Sequence, residues 1–298
     1  MMEIRKDLVT SAFCSYTSAF DSSNLQIANK IRHTWHVAEN CSVIASSLAA
    51  DASLAWLIGV LHDIGRFEQI RVIHGYDDNL GLDHGDYGAK LLFEDGWIRR
   101  FLPDPSADEI IRKAVQYHNK YALPPSLSPE ELLYAQVVRD ADKIDNFRGF
   151  HENDFYSFHE RTEREVQESR ISDEIVQCFL RHETIPFELI QSPADFFLIP
   201  YALYFGLVYP ASKRLAAEQG NYRKMLDYRF ESEENRTRFE IIKQAIALSQ
   251  IIPLSHSGRE FIGTMEKIPD GCAELFPFEL IDELKEEYLR ILGMTNEK

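Results

Sequence analysis

The sequence predicts an all-α fold, and three observations support this prediction. Apolar residues recur at three- and four-residue steps through most of the 298 residues, which is the period of an amphipathic helix. No stretch sustains the alternation of apolar and polar residues that is typical of a half-buried strand. No repeat, low-complexity run or long glycine- and serine-rich linker interrupts the helical pattern. We therefore expect a helical bundle with additional C-terminal helices packed on it.

The first half of the chain divides into helices separated by clear breaks. Asn24 is expected to cap a helix over residues 24–50. Residues 52–63 are apolar nearly all round, which predicts a helix buried on every side and ended by Gly65. Glycine, aspartate and asparagine over residues 74–82 indicate a loop. Further helices are predicted from residue 84 to about 93, over 108–118 and, after a proline-rich loop, over 130–147.

The second half continues in the same style. Helical spacing runs over residues 163–181, 193–219 and 233–252, and residues 278–292 form an amphipathic end helix. Residues 184–186 are the best candidate for a boundary between a core over 1–185 and an extension over 186–298. One continuous helical domain is equally compatible with the pattern.

Composition and charge narrow the functional classes. A hydrophobic content of 45% is that of a folded globular protein. The net charge of −16 opposes binding to nucleic-acid polymers, although a local metal site can still attract a small phosphate ester. The four cysteines form no CxxC pair, which argues against a zinc knuckle or a disulfide-rich scaffold.

No targeting or spanning segment is evident. The N-terminus has no apolar run behind its charges, so no signal peptide is expected. The most apolar stretch, residues 196–211, contains Pro200 and Pro210 and is shorter than the roughly 20 residues of a spanning helix. We expect a cytoplasmic protein without membrane contact, for which a homo-oligomer is compatible with the sequence.

The strongest local signal for chemistry is the run LHDIGR at residues 61–66. Burying the carboxylate of Asp63 at the end of an apolar helix is costly unless a cation lies beside it. A divalent metal bound by His62 and Asp63 would supply that cation, and so would an ordinary ion pair with Arg66. The dipeptide alone does not decide between them.

Two further segments add candidates of the same chemistry. His33 lies on the preceding helix, and the run RDADKID at residues 139–145 places three carboxylates after a buried stretch. Asp142 and Asp145 share a helix face at a spacing of three. Asp145 taken alone is typical of a solvated helix terminus.

Taken together, His33, the His62–Asp63 pair and Asp142 resemble the HD-domain superfamily of metal-dependent phosphohydrolases over roughly residues 20–150. The resemblance implies an HD-type helical bundle in which these residues bind metal. In the binuclear branch, residues at the places of His84 and His118 hold a second ion, and the residue at Asp63 bridges both. His84 taken alone is more typical of a helix-capping or loop residue.

The resemblance also implies an activity. One or two divalent ions (Mn, Fe, Mg, Co or Ni) would activate a hydroxide that attacks phosphorus in a small, nucleotide-like phosphate ester. Catalytic candidates are Asp63, Arg66 and Lys143. Salt bridges within the chain explain the presence of Arg66 and Lys143 equally well. Lys120, on a loop that could close over substrate, is a third cation candidate.

Neighbouring residues receive supporting roles. Asp140 is expected to orient a histidine ligand, and His36 to have a supporting or core role rather than to bind metal.

The sequence departs from two specialised branches of this superfamily. Guanosine-tetraphosphate hydrolases carry an acidic pair after His-Asp, whereas this chain has IGRF, and the extended Gly-Tyr-Pro element of the cyclic-dinucleotide branch is missing. Two alternatives to hydrolysis stay open. One is a di-iron HD-fold oxygenase with nearly the same ligands, and the other is a non-catalytic, metal-stabilised module that senses a ligand.

Overall fold

The computed structural model describes residues 3–76, 78, 80–152 and 161–249. Within these ranges every regular element is a helix, so the all-α prediction is confirmed. In chain order the α-helices are α1 Lys6–Thr17, α2 Leu25–Ser47, α3 Ala52–Leu61, α4 Arg66–Ile73, α5 His84–Phe93, α6 Ile98–Phe101, α7 Asp108–Tyr117, α8 Pro129–His151, α9 Glu163–Glu168, α10 Asp173–Leu180, α11 Pro193–Phe197, α12 Ile199–Ala202, α13 Pro210–Gln219, α14 Asn221–Met225 and α15 Glu233–Ser249. Short 3-10 turns lie at Pro105–Ala107, Phe187–Leu189 and Leu203–Gly206.

Side-chain caps explain where the main helices of the first half begin. The Asn24 side chain accepts a hydrogen bond from the backbone N–H of Gln26 at 2.8 Å, which confirms the predicted start of α2. Asp51 caps α3 in the same way. Ser128 and Glu131 form a reciprocal capping box at the start of α8, where a proline occupies the first helical position.

The chain divides into two compact units. Of the described residues, one unit comprises those up to 152 and those over 207–221, and the other comprises those over 161–206 and 222–249. Within the first unit, α2 packs against α3 and α8, and α7 packs against α5 and α8. The boundary proposed at residues 184–186 lies inside the second unit, and a division into domains at that point stays a prediction.

The contact between α2 and α3 is unusually close, and a glycine permits it. A Cβ atom on Gly59 would lie 2.5 Å from Ala38 Cα, so no larger residue fits between the two helices. The side chains of α3 are buried from Leu54 to Leu61, as its apolar sequence predicted. This close packing brings His33 of α2 and His62, directly after α3, to the same side of the core.

Two long helices predicted in the second half are wrong. The predicted helix over 163–181 is interrupted between α9 and α10, where Asp195 Oδ1 accepts the backbone N–H of Ser172 at 2.7 Å. The predicted helix over 193–219 is divided into α11, α12 and α13 because Pro200 and Pro210 lack the N–H that a continuous helix needs. Both prolines instead lie in the first turn of a new helix.

The remaining expectations of this half have different outcomes. α15 confirms the predicted helix that begins at residue 233, as far as Ser249. The predicted end helix over 278–292 lies outside the described residues. No helix in the described ranges combines the length and the apolar character needed to cross a membrane.

Candidate metal centre

Asp63 lies at the centre of a cluster of four histidines and is 2% exposed. Its Oδ2 lies 3.5 Å from His62 Nε2 and 3.6 Å from His33 Nε2. Its Oδ1 lies 3.2 Å from His84 Nε2 and 3.5 Å from His118 Nε2. Each oxygen of the buried carboxylate therefore faces one pair of imidazoles.

Five structural elements position the six predicted metal ligands. They are α2 with His33, the turn after α3 with His62 and Asp63, the first residue of α5 with His84, the end of α7 with His118, and α8 with Asp142. Asp142 Oδ1 lies 3.1 Å from His33 Nε2 and completes the side of the cluster that Asp63 Oδ2 faces. The structure thus brings together all six residues that the sequence singled out.

All four histidines present the same nitrogen to the cluster. In each ring Nδ1 lies within hydrogen-bond distance of an oxygen, which takes the Nδ1 proton and leaves the lone pair on Nε2. The acceptors are Asp145 Oδ2 for His33 (2.7 Å), Gly59 O for His62 (2.7 Å), Asp78 Oδ1 for His84 (2.6 Å) and Val115 O for His118 (2.7 Å). This pattern is that of metal-binding histidines, whose second nitrogen is fixed by an acceptor.

The donor atoms fit divalent metal ions. Two ligand atoms that are each about 2.1 Å from one ion lie roughly 3.0–3.5 Å apart, which is the spacing around Asp63. Among the described residues, two groups have ligand atoms that all lie within 4.8 Å of one another: His33, His62 and Asp142 form one group, and His62, Asp63 and His118 form the other. The Nε2 atom of His62 is buried without a hydrogen-bond partner, which a bound ion would supply.

Three of these groups favour the protonation state that binds metal. Burial lowers the pKa of His62 to about 3, and it also lowers the pKa of His84. Burial alone would raise the pKa of Asp63, but Lys30 and His62 outweigh it and hold that pKa well below its usual value. At neutral pH the Nε2 atoms of His62 and His84 and the carboxylate of Asp63 therefore carry no proton.

His33 differs from the other ligands. Its burial and the charge of Lys30 lower its pKa, but hydrogen bonds to Asp142 and Asp145 outweigh them, and the pKa is raised. Metal binding at this histidine would therefore release a proton.

Two cations border the cluster. Lys30 Nζ lies 2.7 Å from Asp63 Oδ2, and Arg66 Nη2 lies 3.0 Å from His84 Nε2. Arg66 was a candidate from the sequence, whereas Lys30 was missed. The available signal was its position three residues before His33, which places both side chains on one face of α2.

A cavity of about 230 Å³ opens onto the cluster. Its walls combine the cluster, the two cations, three amide side chains and one aromatic ring. The lining residues are Asn29, Lys30, Asp63, Arg66, Tyr76, His84, His118, Asn119, Asp142 and Asn146. The cavity wall therefore carries two cations and two carboxylates, and its amide side chains offer neutral hydrogen-bonding groups beside them.

Close backbone contact brings His84 to Asp63. A Cβ atom on Gly65 would lie 2.2 Å from the carbonyl oxygen of His84 and 2.7 Å from the backbone nitrogen of Gly88. Only a residue without a side chain lets the first turn of α5 approach the turn after α3. Asp83 caps α5, so His84 is not the helix cap, which was the other explanation for it.

The residue that orients His33 is Asp145, and the expectation for Asp140 is wrong. Asp145 is 3% exposed and lies 2.7 Å from His33 Nδ1, so it is not a solvated helix end. Asp140 instead accepts the backbone N–H groups of Val208 and Tyr209 at 3.0 Å. Five residues at 100° each separate Asp140 from Asp145 on α8, which turns the two carboxylates to different faces.

Two other cation candidates from the sequence, Lys143 and Lys120, contact groups other than the ligand atoms. Lys143 Nζ donates to the carbonyl of Arg139 at 3.3 Å, and Lys120 Nζ contacts Asp83 and Asp86 at 2.5 and 2.8 Å. Neither lysine lines the cavity.

His36 is exposed, so the expected supporting or core role is wrong. The buried arc of α2 is centred on Thr34, Ala38 and Cys41, and residue 36 falls outside it.

Comparison with known proteins agrees with this arrangement. The HD domain family model matches residues 31–146, which include all six predicted ligands. No curated protein and no solved structure matched the chain. Residues 31–146 are therefore identified as an HD domain.

Proposed function

We propose that this protein is a metal-dependent phosphohydrolase that acts on a small phosphate ester. One observation carries the proposal: the buried Asp63 carboxylate lies between two pairs of Nε2 atoms, with one oxygen facing each pair. A carboxylate in this position suits a bridge between two divalent ions. A single ion pair with Arg66 would not require four converging imidazole lone pairs.

The ligands divide into two groups. The first ligand group is His33, His62 and Asp142, and the second ligand group is His84 and His118, with Asp63 facing both. Ions held there would lower the pKa of a bound water towards neutrality and polarise a phosphoryl oxygen. Since the donors are imidazole and carboxylate, manganese, iron, cobalt and nickel suit the site.

Residues of the cavity wall would bind and orient the substrate. Lys30 and Arg66 present cationic groups beside the ligand groups, where they would pair with phosphoryl oxygens and stabilise the charge that develops during transfer. The amides of Asn29 and Asn146 would orient the rest of the ester by hydrogen bonds. Lys143 donates a hydrogen bond to a carbonyl of its own helix. To act in catalysis, its side chain would have to move towards the substrate.

The size and charge of the protein favour a small substrate. A cavity of about 230 Å³ accepts a phosphate ester of nucleotide size or smaller. The net charge of −16 opposes the approach of a nucleic-acid polymer, whereas the local cations attract a small anion. Nucleotide-like phosphate esters are therefore the substrates to test first.

The proposal is tested by metal loading and hydrolysis. Purified protein loaded with Mn²⁺ or Co²⁺ should bind about two equivalents and hydrolyse para-nitrophenyl phosphate or its bis-ester. Asp63→Ala should lose both metal and activity, whereas Asp227→Ala, an exposed carboxylate of the second unit, should retain both. Unchanged metal stoichiometry in Asp63→Ala would contradict the proposal.

A second candidate function is oxidation of a substrate by dioxygen at two irons. The nitrogen-rich donor set favours it as a candidate, because four imidazoles with two carboxylates suit iron as well as manganese. Anaerobically iron-loaded protein distinguishes the two functions. Oxygen uptake that depends on substrate would favour the oxygenase, whereas phosphate release without oxygen uptake would favour the hydrolase.

A further inference from the structure

Helix α8 carries two arginines on either side of Asp142, and the hydrogen bonds of each lead to a different side of the cluster. Arg139 lies three residues before Asp142, and Arg148 lies six residues after it. Neither side chain lines the cavity. Their hydrogen bonds lead instead to one histidine of each ligand group.

Arg139 holds the end of α7. Its Nη1 donates to the carbonyls of Tyr117 and His118, both at 3.0 Å, and to that of Lys120, while its Nη2 donates to Tyr121 O at 3.2 Å. The last carbonyls of a helix have no partner within the helix, so this guanidinium satisfies groups that would otherwise need water. It thereby connects α8 to the segment that presents His118.

The orientation of His118 depends on this helix end. Its Nδ1 bonds the carbonyl of Val115 one turn earlier at 2.7 Å, which points Nε2 at Asp63 Oδ1. If the last turn of α7 unwinds, the His118 backbone and the Val115 carbonyl no longer keep this relation. The hydrogen bonds of Arg139 that stabilise the last turn of α7 therefore also orient His118 towards Asp63.

Arg148 acts on the opposite side through Asp145. Its Nε and Nη2 donate to the two oxygens of Asp145 at 2.7 and 2.9 Å. The side chains of Arg148, Asp145 and His33 are all buried. Asp145 Oδ2 in turn lies 2.7 Å from His33 Nδ1. The bidentate contact fixes the carboxylate, and the carboxylate fixes the imidazole.

We propose that Arg139 and Arg148 are positioning residues that each support a different ligand group: Arg139 the second group through His118, and Arg148 the first group through His33. The inference rests on the proposed function, since it concerns the same ligands. It predicts a crossover, in which loss of one arginine weakens one ion and leaves the other ion bound as before.

Single-site backgrounds make the crossover measurable. His84→Ala leaves the first ligand group, and His33→Ala leaves the second. Calorimetric titration with Mn²⁺ should show that Arg148→Met weakens the ion in the His84→Ala background about 10–100-fold, whereas Arg139→Met does not. In the His33→Ala background the effects should be reversed.

Further variants separate positioning from folding. Arg139→Lys keeps the charge but cannot span four carbonyls from one nitrogen, so it should weaken the second ion by an intermediate factor without unfolding the chain. Circular dichroism of the metal-free variants measures folding independently of metal.

Two outcomes would overturn the inference in distinguishable ways. If the unaltered protein binds two ions but the arginine variants weaken both ions equally, or neither, the positioning roles are wrong and the proposed function stands. If the unaltered protein binds no divalent ion, both fail.

Discussion

Asp78 Oδ1 lies 2.6 Å from His84 Nδ1, so a carboxylate of the loop after α4 orients a histidine on α5. The same oxygen accepts the backbone N–H of His84 at 3.2 Å and the Gln69 side-chain amide at 2.8 Å. These contacts hold the pKa of Asp78 well below its ordinary value, because the hydrogen bond and charge of His84 outweigh the effect of burial. The carboxylate therefore stays ionised and keeps the His84 proton on Nδ1.

We expect Asp78→Asn to weaken the second ion while the protein stays folded. The amide can present its NH₂ group to His84 Nδ1, which would move the ring proton to Nε2 and remove the lone pair that binds metal. Mn²⁺ titration should show a loss of about 10–100-fold for one of two ions. Asp86→Asn is the control, since Asp86 contacts Lys120 and Gln116 instead of a histidine.

His84→Ala should remove about one equivalent of metal and leave the first ligand group occupied. The reason is that His118 and one oxygen of Asp63 are too few ligands to hold an ion tightly. Elemental analysis after desalting measures the stoichiometry. His36→Ala, an exposed histidine on α2, should retain both ions. Loss of both ions from His84→Ala would show that the two groups do not bind independently.

Gly65→Ala should destabilise the metal-free protein by about 1–3 kcal/mol, because the added methyl group meets backbone atoms that cannot rotate away. Urea unfolding in the presence of a chelator measures this effect without a contribution from bound metal. Gly149→Ala is a matched control within α8, where an added Cβ meets nothing within 4 Å. It should be neutral or stabilising by up to about 1 kcal/mol, since alanine favours the helix. Equal destabilisation by the two substitutions would contradict the close contact at Gly65.

Lys143→Met should stabilise the protein at pH 7 by up to about 3 kcal/mol. Burial, followed by the charge of Arg139, lowers the pKa of Lys143 from 10.5 to about 8. The unfolded chain therefore binds the proton more tightly, and the cost of the buried charge is fully present below pH 8. This cost disappears as the pH rises from 8 through 10.5, so the advantage of the variant should disappear over the same range.

Urea unfolding at pH 7 and pH 10 tests this sign. Lys224→Met replaces an exposed lysine and should show no such pH dependence. A destabilised Lys143→Met at pH 7 would show that the lysine makes a net favourable interaction in the folded state.

Local sequence signals were sufficient to predict many of the helices in the first unit. The caps at Asn24 and Ser128 and the apolar run of α3 act through neighbours in the chain, so the sequence alone predicts these helices. The long helices predicted in the second half are wrong because apolar residues keep a helical spacing across positions at which the backbone itself cannot continue a helix. Pro200 and Pro210 are the particular causes between 193 and 219.

The sequence by itself determined the all-α class and the residue types and order of six ligand candidates. Only the tertiary structure decided that Asp145 rather than Asp140 orients His33, that Asp78 orients His84, and that Lys30 borders Asp63. The physical reason is that residue 33 meets residue 145, and residue 78 meets residue 84, only through the packing of elements that are separate in the chain. Their distances depend on contacts such as that of Gly65 with α5, and no local pattern in the sequence encodes them.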